Sequence, residues 1–212
     1  MQKTHPRAKK PEIEAIIFDI GRVIIHLDPS RAIATIGAGS GLTPEKLWDA
    51  VHKDPLWDAW QEGRVTPRKW HENLNTRFRT SLSFEEFREV WNSSLSPKTI
   101  LPNSLFRQLS KKCRLVLLSN TDPIHVAFME SNFSFVRYFP KRIYSCEAGA
   151  AKPSVKIFRA AIQAAAVPPS RILFIDDIRQ YVLAARRTGL NALQFRSRAQ
   201  LEAALRRRRL LP

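Results

Sequence analysis

Asp19 is the residue whose placement most directly suggests chemistry. It ends the apolar run Ala15-Ile16-Ile17-Phe18, and Gly21 follows two places later. A short β-branched run of this kind reads as a buried parallel strand. Its polar end then lies at the carboxyl edge of a sheet, where open α/β folds place their ligands. A carboxylate there can attack phosphorus and form an aspartyl-phosphate, dividing one difficult displacement into two. Three later stretches can serve the same point: Ser119-Asn120-Thr121 after Leu117-Leu118, Ala151-Lys152-Pro153, and Asp176-Asp177 after Leu173-Phe174-Ile175. Ser119 and Asn120 can donate hydrogen bonds to phosphate oxygens. The Lys152 ammonium and the first amides of a helix starting at Ser154 both favour an anion. Asp176 and Asp177 beside Asp19 would repel one another unless a cation lay between them, and Mg2+ suits such oxygen donors.

The elements that must position these residues follow from periodicity. Strands are expected at 15–18, 115–118, 142–145, 172–175 and 191–195. Helices are expected at 102–111, 123–131, 154–166 and 178–188, the last stopped by Gly189. Such alternation predicts an α/β fold: a three-layer, Rossmann-like core built on a parallel sheet covered on both faces. The interval from about Pro29 to Leu101 differs. It shows no convincing strand, but has helix starts at Thr43-Pro44-Glu45, Thr66-Pro67 and Ser83-Phe84-Glu85-Glu86, the last resembling a capping box. The expected division is therefore a core of residues 1–28 and 101–212 with a small inserted all-α domain at 29–100. All five tryptophans fall in that insert. Most read as its packing core, with Trp57 and Trp60 the ones best placed to face the sheet edge and shape a pocket. Gly37-Ala38-Gly39-Ser40-Gly41 follows no strand and lacks Lys-Ser/Thr, so it reads as a flexible connection rather than a phosphate loop.

Bulk properties narrow the classes. Two cysteines far apart, Cys113 and Cys146, exclude a disulfide scaffold and fit a reducing cytoplasm. No run is apolar enough for membrane insertion, and Glu12, Glu14 and Asp19 spoil the signal-peptide look of the basic start. The net charge is +16, yet residues 29–100 hold ten basic and nine acidic side chains, so +15 lies elsewhere. It gathers in the first ten residues and at Arg206-Arg207-Arg208-Arg209. The pattern lacks the aromatic interleaving of a nucleic-acid platform; beyond these basic ends nothing supports a nucleic-acid partner, and solvated tails are the simpler reading.

Together, Phe18-Asp19-Ile20-Gly21-Arg22-Val23, Ser119-Asn120-Thr121, Lys152-Pro153 and Phe174-Ile175-Asp176-Asp177 resemble the four motifs of the haloacid dehalogenase (HAD) superfamily, over residues 13–196. The likeness is to its phosphatases with a helical cap after the first strand, including bacterial sugar-phosphate phosphatases with Gly two places after the nucleophile. The resemblance implies Asp19 as nucleophile and metal ligand, the Gly21 carbonyl as second ligand, and Asp177 with Asp176 completing a Mg2+ site. It implies Ser119, Asn120 and Lys152 on the transferring phosphate of a small phosphorylated metabolite. Two departures stand out. Most such phosphatases carry an Asp at the position of Gly21 that protonates the leaving oxygen and later activates water, and glycine does neither. Tyr181 stands where relatives commonly have Asn. Arg22 cannot release a proton near neutral pH, and His26 and His125 read as structural. The leading expectation is a Mg2+-dependent phosphatase. The alternatives are a non-catalytic binder of a phosphorylated ligand or partner, and a 2-haloacid dehalogenase.

Overall fold

The computed structural model describes residues 12–212. The basic segment at 1–11, including the expected first part of the core domain, lies outside the described residues. In chain order the elements are β1 (Ala15–Phe18), β2 (Ile25–Leu27), α1 (Ser30–Ile36), α2 (Pro44–His52), α3 (Trp57–Gln61), α4 (Pro67–Phe78), α5 (Phe84–Asn92), β3 (Leu95–Thr99), α6 (Asn103–Leu109), β4 (Arg114–Ser119), α7 (Pro123–Asn132), β5 (Lys141–Tyr144), α8 (Ser145–Ala148), α9 (Val155–Ala165), β6 (Ile172–Asp176), α10 (Arg179–Arg187), β7 (Asn191–Gln194) and α11 (Arg198–Arg206). Five strands form one sheet in the order β5-β4-β1-β6-β7, and every pairing is parallel.

The continuous apolar strands are explained by burial on both faces. Ala15 and Ile17 of β1, with Val116, Leu118, Ile172 and Phe174, pack on Ile157, Phe158 and Ala161 of α9 and Ala185 of α10. Ile16 and Phe18, with Leu115, Leu117, Leu173 and Ile175, pack on Leu105 and Phe106 of α6, Met129 of α7, and Leu201 and Leu205 of α11. The alternation is the strand period of two, and it builds the three-layer α/β core. Gly189 takes a φ of +86°, just past the end of α10, as a helix stop requires.

The insertion holds α1–α5. Thr43, Thr66 and Ser83 cap α2, α4 and α5 with their hydroxyls, and Glu86 closes the capping box on Ser83. Its own core gathers Leu47, Trp60, Trp70, Leu74, Phe87 and Trp91, and also takes in Ile124 of α7. Trp60 and Trp70 stack with centroids 5.7 Å apart.

The strandless reading of 29–101 is corrected: β3 pairs antiparallel with β2, Leu27 opposite Leu95 and Ile25 opposite Thr99, with an irregular register between. The segment Leu95-Ser96-Pro97-Lys98-Thr99 has a proline inside and is mostly exposed, which hides a strand from pattern reading. The segment at 37–41 is also tighter than a flexible connection. A Cβ on Gly37 would lie 2.1 Å from the Leu47 side chain, so this glycine lets α2 pack against the end of α1. At Gly63 a Cβ would lie 1.9 Å from the Cys146 carbonyl, and φ is +70°. Only glycine permits that approach of insertion to core. No described helix is long and apolar enough to cross a membrane.

Candidate active site

The parallel sheet brings the ends of β1, β4 and β6 side by side, so residues up to 158 positions apart in sequence become neighbours. Asp19 follows β1, Ser119 ends β4 and Asp176 ends β6. All three are buried, as is Lys152, from the loop between α8 and α9. Lys152 Nζ donates to Asp19 Oδ1 at 2.7 Å and to Asp176 Oδ2 at 2.6 Å. The other Asp176 oxygen accepts from the Ile178 backbone N–H at 2.8 Å. Asp19, Asp176 and Asp177 each offer a carboxylate oxygen within 4.8 Å of the others.

One ammonium does not balance three carboxylates. Burial raises the Asp19 pKa, the Lys152 charge opposes that rise, and Asp176 and Asp177 add to it; the result is a pKa of about 7. Burial also raises Asp177, with Asp176 reinforcing the shift. For Lys152, burial disfavours the ammonium, but the charges of Asp19 and Asp176 outweigh it and hold its pKa above the usual lysine value. Its proton therefore stays.

Asn120 grips Lys152 by the backbone. Its Oδ1 accepts from the Lys152 N–H at 2.7 Å, and its Nδ2 donates to the Lys152 carbonyl at 2.9 Å. The side chain expected to face a phosphate is thus committed to placing the lysine. Tyr181 joins the same support: its hydroxyl accepts from Asn120 Nδ2 at 3.4 Å, and its ring lies 5.0 Å from Lys152 Nζ. The unusual Tyr181 therefore bears on Lys152 through a cation–π contact.

A second network joins insertion and core. Asp122, the N-cap of α7, accepts from the Ile124 and His125 N–H groups at 3.0 Å each. It also receives the Trp91 indole N–H at 3.0 Å and pairs with His125 Nδ1 at 3.0 Å. Its only sequence signal was Asp122-Pro123, a helix-start pair.

A pocket of about 490 Å³ lies above these residues, with Asp19, Gly21, Ser119, Lys152 and Asp177 on one side. Trp48, His52, Trp57, Asp58 and Gln61 of the insertion line the other side. Trp57 meets the expectation; Trp60 does not, being fully buried in the insertion's core. Trp48, His52, Asp58 and Gln61 carried no signal in sequence. Arg22 lines the pocket and is exposed; His26 is exposed on β2 and away from it. Cys113 and Cys146 are free, and burial pushes both thiols up to about 12.

A family model described as haloacid dehalogenase-like hydrolase matches residues 9–189. The chain belongs to that family. Among its relatives is the D-ribitol-5-phosphate phosphatase of Bacteroides thetaiotaomicron, 26% identical over 86% of this chain and 91% of the relative. A HAD family enzyme of the same organism, solved in complex with magnesium and inorganic phosphate, is 26% identical and covers 88% of this chain and 96% of its own, with a TM-score of 0.74. A HAD-like hydrolase of Porphyromonas gingivalis, 24% identical with a TM-score of 0.76, covers 93% of this chain and 98% of its own and shares the fold. This hydrolase thus has the α/β core with helical insertion that its four motifs implied.

Proposed function

We propose that this hydrolase is a Mg2+-dependent phosphatase acting on a small phosphomonoester of the sugar or polyol class, through an aspartyl-phosphate on Asp19. The observation that carries the reading is the meeting of Asp19, Asp176 and Asp177 with a single buried ammonium at the wall of a pocket between core and insertion. The donor set fits a hard dication. Three carboxylates share one compensating charge, and Asp19 holds its proton up to about pH 7 for want of another. Asp19, Asp176 and Asp177, with the Gly21 carbonyl, would hold Mg2+, which when bound neutralises charge on the transferring phosphoryl group.

The remaining roles belong to the chain's own groups. Asp19 supplies the attacking oxygen. Lys152, fixed in its charged form, and the Ser119 hydroxyl hold the phosphate oxygens, and Asn120 keeps Lys152 in place. Residues 29–100 act as a cap whose Trp48, Trp57 and Gln61 face the leaving group. A pocket of about 490 Å³ suits a small metabolite, and the related ribitol phosphate phosphatase supports the polyol class. A metal-independent dehalogenase has no use for two further carboxylates against its nucleophile.

The test is turnover of a panel of phosphate esters with and without Mg2+, beside Asp19→Asn. Hydrolysis abolished by EDTA and by the variant supports the reading; equal turnover by Asp19→Asn sinks it. A second reading, a binder of phosphorylated ligand without turnover, rests on the glycine at position 21. It predicts phosphate binding by calorimetry and no hydrolysis of any ester.

A further inference from the structure

A phosphatase with glycine at position 21 needs a proton carrier from elsewhere. We propose that His52 of α2 is that group: its Nε2 protonates the leaving oxygen and then takes the proton of the attacking water. The proposal rests on the phosphatase reading above.

Position 21 leaves room. A Cβ there would meet only the Leu27 side chain, at 3.6 Å, so the wall beside Asp19 opens into the pocket. His52, from the insertion, lines the same pocket. Its Nδ1 is 2.9 Å from the Trp48 carbonyl. A carbonyl only accepts, so Nδ1 carries its hydrogen in both charge states, and the proton that comes and goes is on Nε2. No described residue is hydrogen-bonded to Nε2. The ring plane is set by Trp48, edge-on at 4.0 Å, and by Trp57, tilted at 4.5 Å.

The charged groups around His52 come from three elements. Asp49 shares its helix and favours the imidazolium, but is itself paired with Lys53 at 2.7 Å. Asp58 lies in α3. Arg22, directly after Gly21, opposes a charge on His52 from the core side. His52 is exposed as a residue, but its ring is partly covered by Trp48 and Trp57. That partial desolvation is the largest influence, and with Arg22 it outweighs the Trp48 carbonyl and Asp49 and holds the imidazole below the usual histidine value.

The other described histidines do not offer the same atom. His125 lines the pocket, but its Nδ1 meets Asp122 and its Nε2 meets the Trp91 carbonyl at 3.1 Å and Ser94 Oγ at 3.2 Å. His71 packs inside the cap, with Nε2 near the Leu82 carbonyl and Asn75. His26 lies away from the pocket.

The protons balance over the cycle. In the first step the Asp19 oxygen–phosphorus bond forms and the bond to the leaving oxygen breaks, while that oxygen takes the Nε2 proton. The alcohol departs and His52 is neutral. In the second step water attacks phosphorus, its proton passes to Nε2, and the bond to Asp19 breaks to release inorganic phosphate. His52 ends protonated, as it began.

The experiment uses the full chain with Mg2+ and two esters, ribitol phosphate with a poor leaving group and p-nitrophenyl phosphate with a good one. His52→Asn retains a donor for the Trp48 carbonyl and loses the carrier. Expected are a loss of about 100-fold in kcat on ribitol phosphate and a burst of nitrophenol followed by slow turnover on the aryl ester. The wild-type fall in ribitol phosphate turnover as pH rises through the His52 titration disappears. Adding Gly21→Asp to His52→Asn restores at least about tenfold on ribitol phosphate, which also shows that the variant is folded. Retention of wild-type kcat and pH profile by His52→Asn overturns the proposal, as does an equal loss on both esters without a burst, or a larger loss in Asp58→Asn. Wild-type turnover no greater than that of Asp19→Asn removes the phosphatase reading itself, and the proposal with it.

Discussion

Buried carboxylates occur in both the cap and the core of this molecule, and they are treated in opposite ways. In the cap, Asp54 accepts from the Leu56 N–H at 2.8 Å, from Asn73 at 3.0 Å and from Arg77. Burial works against its charge, but those donors outweigh it and hold the pKa below the usual carboxylate value. Asp122, at the junction, is likewise kept charged by His125 and Trp91 despite its burial. At the carboxyl edge of the sheet, Asp19 has one cation and two like charges, and its pKa climbs to about 7. A carboxylate that only holds structure collects its donors. One left short of them at the floor of a pocket is arranged for a partner that arrives later.

The sharpest break of this comparison is at Asp19 itself. Asp19→Asn should lower turnover on any accepted phosphate ester by on the order of 10⁴-fold or more, as loss of a nucleophile does, while circular dichroism stays that of the folded chain. Lys152→Met comes next, with a loss of about 10²–10³ in kcat from the missing positive charge on the phosphoryl group. It also leaves Asp19 and Asp176 facing each other, so the metal-free variant should be less stable in urea and should gain more from Mg2+ than the wild type.

Asp54→Ala tests the cap's side. It should cost about 2 kcal/mol of stability by removing a satisfied acceptor and stranding Arg77 and Asn73, and Mg2+ should not relieve the loss. Recovery on adding Mg2+ would break the distinction between the two regions.

The pH dependence carries the same contrast in its sign. Without metal, folded Asp19 keeps its proton to about pH 7, whereas the unfolded chain releases it near 3.8. The folded state thus binds more protons across that window, and this group makes stability fall as pH rises through it. Urea unfolding at a series of pH values should show the decline, flattened in Asp19→Asn and by Mg2+.

The smallest effect is expected at Gln61, at the pocket's cap wall. Gln61→Ala should raise KM for ribitol phosphate about fivefold, equal to roughly 1 kcal/mol for one lost hydrogen bond, with kcat unchanged. The KM for p-nitrophenyl phosphate should stay as it is.

The core was legible in the residues because its signals are local. Apolar runs ending in Asp19, Ser119 and Asp176 mark strand ends, and a parallel sheet aligns such ends whatever the length of chain between them. Thr43, Thr66 and Ser83 announced their helices for the same reason, since a cap bonds only three residues ahead. The ribbon of β2 and β3 was hidden because Pro97 and an exposed pattern look unlike a strand. The cap face of the pocket was hidden more deeply. Trp57 and Trp60 are three apart on one short helix, yet one lines the pocket and the other stacks on Trp70.

By itself, then, the sequence determined the α/β class, the carboxylate and lysine cluster and the gap at Gly21, all of which depend on residue type within a few positions. Only the tertiary structure decided that Asn120 is spent on Lys152, that the Tyr181 ring lies against the ammonium, and that His52 and Gly21 line one pocket. The first two depend on how the ends of β4 and α10 meet the loop that holds Lys152. The third depends on how the insertion is seated on the core, through Gly63 against Cys146, Ile124 and the bond from Trp91 to Asp122. They are contacts between segments far apart in sequence, and no local pattern encodes them.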